Sequence, residues 1–210
     1  MDRLALAPVT FVLLAVNVAI SLYVLMGNPA LMERYSLRPR AVLRDKEWDR
    51  TFTSAFLHVG IGHLAFNMLT LFFFGPFLEM LLGPVRFAVL YVGSALAASA
   101  LTVWLRRGDA DYSAVGASGA VSGVLFAFCL FAPFEKIYIF FAIPMPAILF
   151  AVLYVAGSIY AMRQAEASGL RGGVAHEAHL GGALGGIVLT AILFPRVLPH
   201  FAAQIGQLFG

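Results

Sequence analysis

The chain has 210 residues, of which 61% are hydrophobic and only 12% charged. A soluble domain carries about half apolar and a quarter charged residues, so a mean hydropathy of +0.88 excludes a soluble fold, a disordered chain and a disulfide scaffold. The 14 Lys/Arg and 11 Asp/Glu are scattered, which excludes a nucleic-acid-binding patch and fits the flanks of membrane spans.

An apolar run of about 18 or more residues crosses a bilayer as a helix. Six such stretches make residues 1–210 a single membrane-embedded domain, an all-α polytopic bundle. The first span is Leu6 to Met26; its Met-Asp-Arg start and the lack of a small-x-small site after it mark a retained helix rather than a cleaved leader. The connection 27–60 holds six Lys/Arg and four Asp/Glu among Leu43, Trp48, Phe52, Phe56 and Leu57, an amphipathic mixture suited to the membrane interface. The second span is Ile61 to Leu82, and Gly83-Pro84 turns the chain into the third, Val85 to Leu105. The fourth, Ala114 to Ala132, holds the single cysteine, Cys129, which has no intramolecular partner for a disulfide. The fifth, Ile137 to Ala161, is expected to kink at Pro144 and Pro146. Segment 162–174, with three glycines, reads as a flexible loop before the sixth span, Ala175 to Phe194; the tail 195–210 is mildly amphipathic.

Orientation by charge points the N-terminus outward. With that terminus in the cytoplasm, only Arg3, Arg86, Lys136 and Arg196 would lie inside, against the positive-inside rule. Six of the other ten cations sit in the long first loop beside four carboxylates, which weakens the count as a guide.

Polar residues inside spans are costly and point to function. His63 and Asn67 begin span two, Ser118 begins span four within Gly116-Ala117-Ser118-Gly119, and His176 and His179 begin span six. Spans two, four and six run in the same direction, so these residues converge at one side of the membrane. Gly119/Gly123 and Gly182/Gly186 are small-residue pairs four apart that allow close helix approach. If those faces pack, Ser118 and His179 approach hydrogen-bond reach.

A serine becomes a nucleophile when a histidine accepts its proton. No Asp lies within a span, Glu79 is at the far end of span two, and Glu177 is on a different helix face from His179. The pattern is therefore a Ser118–His179 dyad without an acidic third member. The backbone N–H groups at the start of span four, with His63 and Asn67 at i and i+4, are donors for a developing oxyanion. Blander readings stand beside these. Ser118 alone would hydrogen-bond its own helix, His63 and Asn67 would make a structural pair, and His58 would be interfacial. His176 competes as the base, and Ser122 as a deeper nucleophile. His58, His63, His176, His179 and Glu177 are metal-ligand types. His176-Glu177-Ala178-His179 is one residue short of H-E-x-x-H, however, so neither metal nor cofactor is expected.

Several ordered motifs resemble the rhomboid intramembrane serine proteases. They are Trp48-Asp49-Arg50 with Thr53-Ser54-Ala55-Phe56-Leu57-His58; His63-Leu64-Ala65-Phe66-Asn67; Glu79 with Gly83; Gly116-Ala117-Ser118-Gly119; and Ala178-His179-Leu180-Gly181-Gly182 with Gly186. The resemblance spans about Trp48 to Gly186 and implies a six-transmembrane-helix rhomboid-like bundle. By position, Ser118 matches the nucleophile and His179 the base, while His63, Asn67 and the Ser118 N–H match the oxyanion site. It further implies a cytoplasmic N-terminus, a water-filled cavity opening on the non-cytoplasmic side as in a bacterial inner membrane, and transmembrane protein substrates met in the lipid bilayer. Two departures stand out. Asp49 separates Trp48 from Arg50, where the family often has Trp-Arg, and Ser122 occupies a position, four after the nucleophile, that is often an aromatic stacked on the histidine. The alternatives are a catalytically inactive rhomboid-like protein that binds membrane clients, and a small transporter using His63 and His179 as proton relays.

Overall fold

A computed structural model describes residues 6–139, 142–168 and 175–207; Arg3 and Arg171 of the charge count fall outside them. Five helices are long and apolar enough to span a bilayer. They are α1 (Pro8–Met26), α5 (Ile61–Leu82), α6 (Pro84–Leu105), α8 (Ala147–Ser168) and α9 (His176–Leu193). The sixth apolar helix, α7 (Ser118–Phe131), has 14 residues, about 21 Å at the helical rise. That is shorter than a hydrocarbon core of roughly 30 Å. α7 is nonetheless the centre of the bundle: every residue from Gly119 to Ala127 is buried.

The outer face explains the composition. Phe66, Phe73, Trp104, Val152, Leu184, Val188 and Ile192 are all more than half exposed, an apolar surface that only lipid can cover. The chain is an integral, multi-pass membrane protein.

Small residues set the inner packing. A methyl on Gly182 would sit 2.6 Å from the carbonyl carbon of Gly119 and 2.9 Å from its Cα, and one on Gly186 would lie 2.7 Å from the carbonyl carbon of Gly123. α7 and α9 therefore touch backbone to backbone along the two glycine pairs. The third wall is α6, whose Ala98 side chain meets Gly119 and whose Ala97 carbonyl lies 2.9 Å from where Gly181 would carry a Cβ.

At the opposite end from Ser118, Glu79 of α5 is buried and caps the start of α1. Its carboxylate accepts from the Val9 N–H at 2.8 Å, the Thr10 N–H at 2.7 Å and the Thr10 hydroxyl at 2.7 Å. These are N–H groups a helix start leaves open, and a carboxylate complements the positive end of the dipole there.

Two expectations need correction. Residues 137–146 are not the first turns of span five. β1 (Lys136–Ile139) pairs antiparallel with β2 (Ile143–Pro146), Lys136 opposite Pro146 and Ile139 opposite Ile143. Pro144 and Pro146 do not kink a helix; each bars the helical conformation for the residue before it, so Ile143 and Met145 stay extended. α8 starts only at Ala147, where the N–H groups of Ala147 and Ile148 donate to the carbonyls of Glu135 and Pro133 at 2.9 and 2.8 Å. It then runs on to Ser168, through residues read as loop; the rest of that loop, 169–174, lies outside the described residues.

The first loop is folded. It contains α2 (Ala30–Tyr35), α3 (Pro39–Arg44), α4 (Arg50–Thr53) and a 3-10 turn, Ser54–Phe56. Arg50 is its buried tie, donating to the carbonyls of Glu33 and Ser36 at 2.9 and 3.0 Å and pairing with Glu47. Asp49, the residue inserted after Trp48, pairs instead with Arg34 at 2.9 Å. Thr51 anchors the loop to α6 by accepting from Ser99 Oγ at 2.8 Å. A last helix among the described residues, α10 (Val197–Gly206), follows α9.

Candidate active site

Ser118 is the first residue of α7, His63 and Asn67 lie in the first two turns of α5, and His176 and His179 lie in the first turn of α9. Parity of the spans brings all of them to one end of the bundle. The Gly119–Gly182 contact seats the Ser118 end of α7 against α9 one turn from His179. Among the described residues no hydrogen bond joins Ser118 Oγ to His179.

Gly116 shapes the approach to Ser118. Its φ of +136° favours glycine, and a Cβ there would fall 2.6 Å from His63 Cε1, 3.0 Å from His63 Nε2 and 3.6 Å from Ser118 Oγ. The His63 ring edge and the Ser118 hydroxyl thus flank the same vacant position. His63 Nδ1 is buried without a partner. Asn67 Nδ2 donates to the His63 carbonyl at 3.1 Å, which uses one amide hydrogen and leaves the other. The Gly116 N–H is held by the Ser54 carbonyl at 3.0 Å, so the folded first loop fixes the segment that leads into the helix begun by Ser118.

His58 is not interfacial, as expected from its place before span two, but fully buried. Its ring stands edge-on to His63, with centroids 5.1 Å apart. Burial, and then the neighbouring His63, push its pKa down to about 4, so the imidazole is neutral and carries one N–H. Nε2 accepts from the Ala117 N–H at 3.4 Å, which places the proton on Nδ1, 2.7 Å from Ser21 Oγ. Ser21 Oγ in turn donates to the Phe56 carbonyl at 2.9 Å. A relay from α1 through His58 therefore pins the peptide that precedes Ser118.

Glu177, two residues before His179, turns away from it. It is buried and accepts from Arg106 Nε and Nη2 at 3.0 and 3.3 Å and from the Tyr112 hydroxyl. Burial and then the Glu177 carboxylate push the Tyr112 phenol far above its ordinary value, so it remains a donor. This cluster clamps the start of α9 to the loop after α6, and no acid faces His179 among the described hydrogen bonds.

What His179 does face is a ring that sequence reasoning passed over. Tyr154 of α8 stacks on it, centroids 5.8 Å apart and planes 29° apart, and its hydroxyl lies 2.6 Å from Ser122 Oγ. Ser122 is thereby occupied: its hydroxyl also donates to the Ser118 carbonyl at 2.7 Å. His176 presents only an edge to the His179 ring, at 5.9 Å and 83°. A useful signal for Tyr154 was its place on an apolar helix, but starting that helix ten residues early put the ring about 15 Å too far along the span.

Residues 45–196 match the pattern of the Rhomboid domain. The chain belongs to the rhomboid family. It is 34% identical over 184 residues, 85% of its own length and 51% of the relative's, to Rhomboid protein 1, mitochondrial, of Saccharomyces cerevisiae. Rhomboid protease GluP of Bacillus subtilis is 28% identical over 166 residues, covering 79% of the chain and 30% of that protein. Rhomboid protease AarA of Providencia stuartii is 30% identical over 167 residues, 72% of the chain and 59% of the relative. The chain spans about half or less of most of these relatives' length, and they come from mitochondria and from bacteria.

Proposed function

We propose that this rhomboid protein is an intramembrane serine endopeptidase that cuts peptide bonds in or beside the transmembrane segments of other membrane proteins. The observation that carries the reading is the backbone contact of Gly119 with Gly182 and of Gly123 with Gly186. That contact puts a helix-starting serine and a helix-starting histidine at one depth, with His63 on the same vacant position as the Ser118 hydroxyl. Several relatives are named proteases.

In this mechanism Ser118 Oγ attacks the scissile carbonyl while His179 takes its proton. The oxyanion that forms is met by the Ser118 N–H and by the side chains of His63 and Asn67, helped by the positive end of α7. His179 then returns the proton to the leaving amine, and water attacks the acyl-enzyme with His179 again as base. A helical substrate hides its carbonyls in its own hydrogen bonds, so the segment cut is one that unwinds locally, with small or helix-breaking residues near the bond. The rhomboid resemblance, against the charge count, supports a cytoplasmic N-terminus with the site opening on the opposite side.

A fluorophosphonate serine probe tests this without knowledge of the substrate. Labelling of wild type, kept to within a few-fold in Ser122→Ala and His176→Ala and lost in Ser118→Ala and His179→Ala, is the expected pattern. A folded wild type in liposomes that never labels would move the assignment to a client-binding rhomboid-like protein.

A further inference from the structure

We infer that Tyr154 is the positioning residue for the His179 base, doing from α8 what a ring four residues after the nucleophile would do from α7. The inference rests on the protease reading, but its structural part stands by itself.

The argument begins with what holds an imidazole in place. The described hydrogen bonds give His179 no carboxylate to orient it, because Glu177 is spent on Arg106 and Tyr112. The Tyr154 ring is stacked on the imidazole with centroids 5.8 Å apart and planes 29° apart, so a turn of the imidazole about its Cβ–Cγ bond gives up that stacking and swings its edge toward the phenol face. Offset stacking of this kind is favourable beyond the burial of the two rings.

The phenol itself is fixed from three sides. Phe126 stands edge-on to it at 5.6 Å, Phe150 lies tilted against it at 5.7 Å, and its hydroxyl meets Ser122. The proton directions on that last contact follow from counting. Ser122 has one hydroxyl hydrogen, which goes to the Ser118 carbonyl, so Tyr154 donates and Ser122 accepts. One side chain thus touches the base with its ring and reaches the nucleophile's own peptide through a single serine. Ser122 is small because the ring comes from elsewhere: a serine at this position receives the phenol, whereas an aromatic there would occupy the ring's place.

This makes a reciprocal prediction that a role in packing alone does not make. Cleavage of a transmembrane peptide with a helix-breaking segment is measured in liposomes for wild type, Tyr154→Phe, Tyr154→Leu, Ser122→Tyr and the double variant Tyr154→Leu/Ser122→Tyr. The position of the His179 Hε1 proton in the NMR spectrum is followed in parallel. Tyr154→Leu is expected to lower kcat about 30-fold with KM within about threefold, since base geometry and not peptide binding is lost. Tyr154→Phe keeps the ring and loses only the tether, for a loss of about threefold. Ser122→Tyr alone crowds two rings into one place and also falls, and the double variant recovers most of the lost kcat. The His179 proton, shielded by the phenol in wild type, should move downfield in Tyr154→Leu and return in the double variant. Unchanged kcat and an unmoved proton in Tyr154→Leu, or a folded double variant no better than Tyr154→Leu by either measure, overturns the inference. A wild type no more active than Ser118→Ala refutes the protease reading instead, and the proton shift still decides whether Tyr154 holds the ring.

Discussion

Gly182→Ala puts a methyl where the structure has least room for one. The new Cβ would lie 2.6 Å from the Gly119 carbonyl carbon and 2.9 Å from its Cα. Carbon atoms rest at about 3.5–4.0 Å, so α7 and α9 must part by roughly 1 Å at this crossing. Both contacts are backbone, and no side-chain rotation relieves them. Overpacking of this sort costs about 1–3 kcal/mol in stability. The larger effect is geometric, because the crossing is next to Ser118 and one turn from His179, and a 1 Å displacement of reacting groups costs up to about 100-fold in rate, or about 2.7 kcal/mol. The assay is the rate of fluorophosphonate labelling in liposomes beside the thermal midpoint of the purified protein. Gly157→Ala in α8 is the control, since a Cβ there meets nothing within 4 Å. Gly182→Ala that keeps its fold and labels within twofold of wild type would refute the claim that this contact sets the dyad.

Three further outcomes follow from buried polar groups. Glu79→Gln removes the charge from the group that caps α1 with three hydrogen bonds; a loss of about 2–3 kcal/mol is expected in unfolding of the detergent-solubilised protein, with little change in probe labelling per folded molecule. Glu177→Gln breaks the pair with Arg106, whose side chain is 21% exposed, so about 2 kcal/mol and a faster-digested loop after α6 are expected in limited proteolysis. For His58 the folded pKa of about 4 lies below the ordinary 6.5, so the unfolded chain binds the extra proton. The associated stability is complete above pH 6.5 and is lost as pH falls toward 4, by about 3 kcal/mol at most. Thermal midpoints between pH 7 and 4.5 should therefore fall less steeply in His58→Gln than in wild type.

Much of this site is legible in the sequence for a definite reason. Alternating spans impose parity, so Ser118, His63 and His179 share one end of the bundle, and glycines four apart mark the α7–α9 crossing. The failures share a cause as well. Hydropathy measures length of apolar run and not its conformation, so the paired strands Lys136–Ile139 and Ile143–Pro146, apolar from Ile137 on, read as helix and carry Tyr154 out of register. His58 was placed at the interface because it precedes a span, and chain position says nothing of the loop that buries it under α1. Arg50, read among scattered loop charges, turned out to be the tie of that loop because its partners are carbonyls fourteen and seventeen residues away, contacts that no local pattern encodes.

The short central helix also bears on what a membrane must keep apart. Below Ser122 the rest of α7 is ringed by aromatic faces: Phe128 meets Phe74 and Phe77, and Phe131 meets Phe194. Val124 and Ala127, nearer Ser122 on the same helix, are wholly buried. Beneath Ser122 the interior around α7 is therefore apolar and aromatic, unlike the polar end that carries Ser118 and His63. An enzyme of the kind proposed above would take its water from the loop end of the bundle, with this apolar layer beneath its serine.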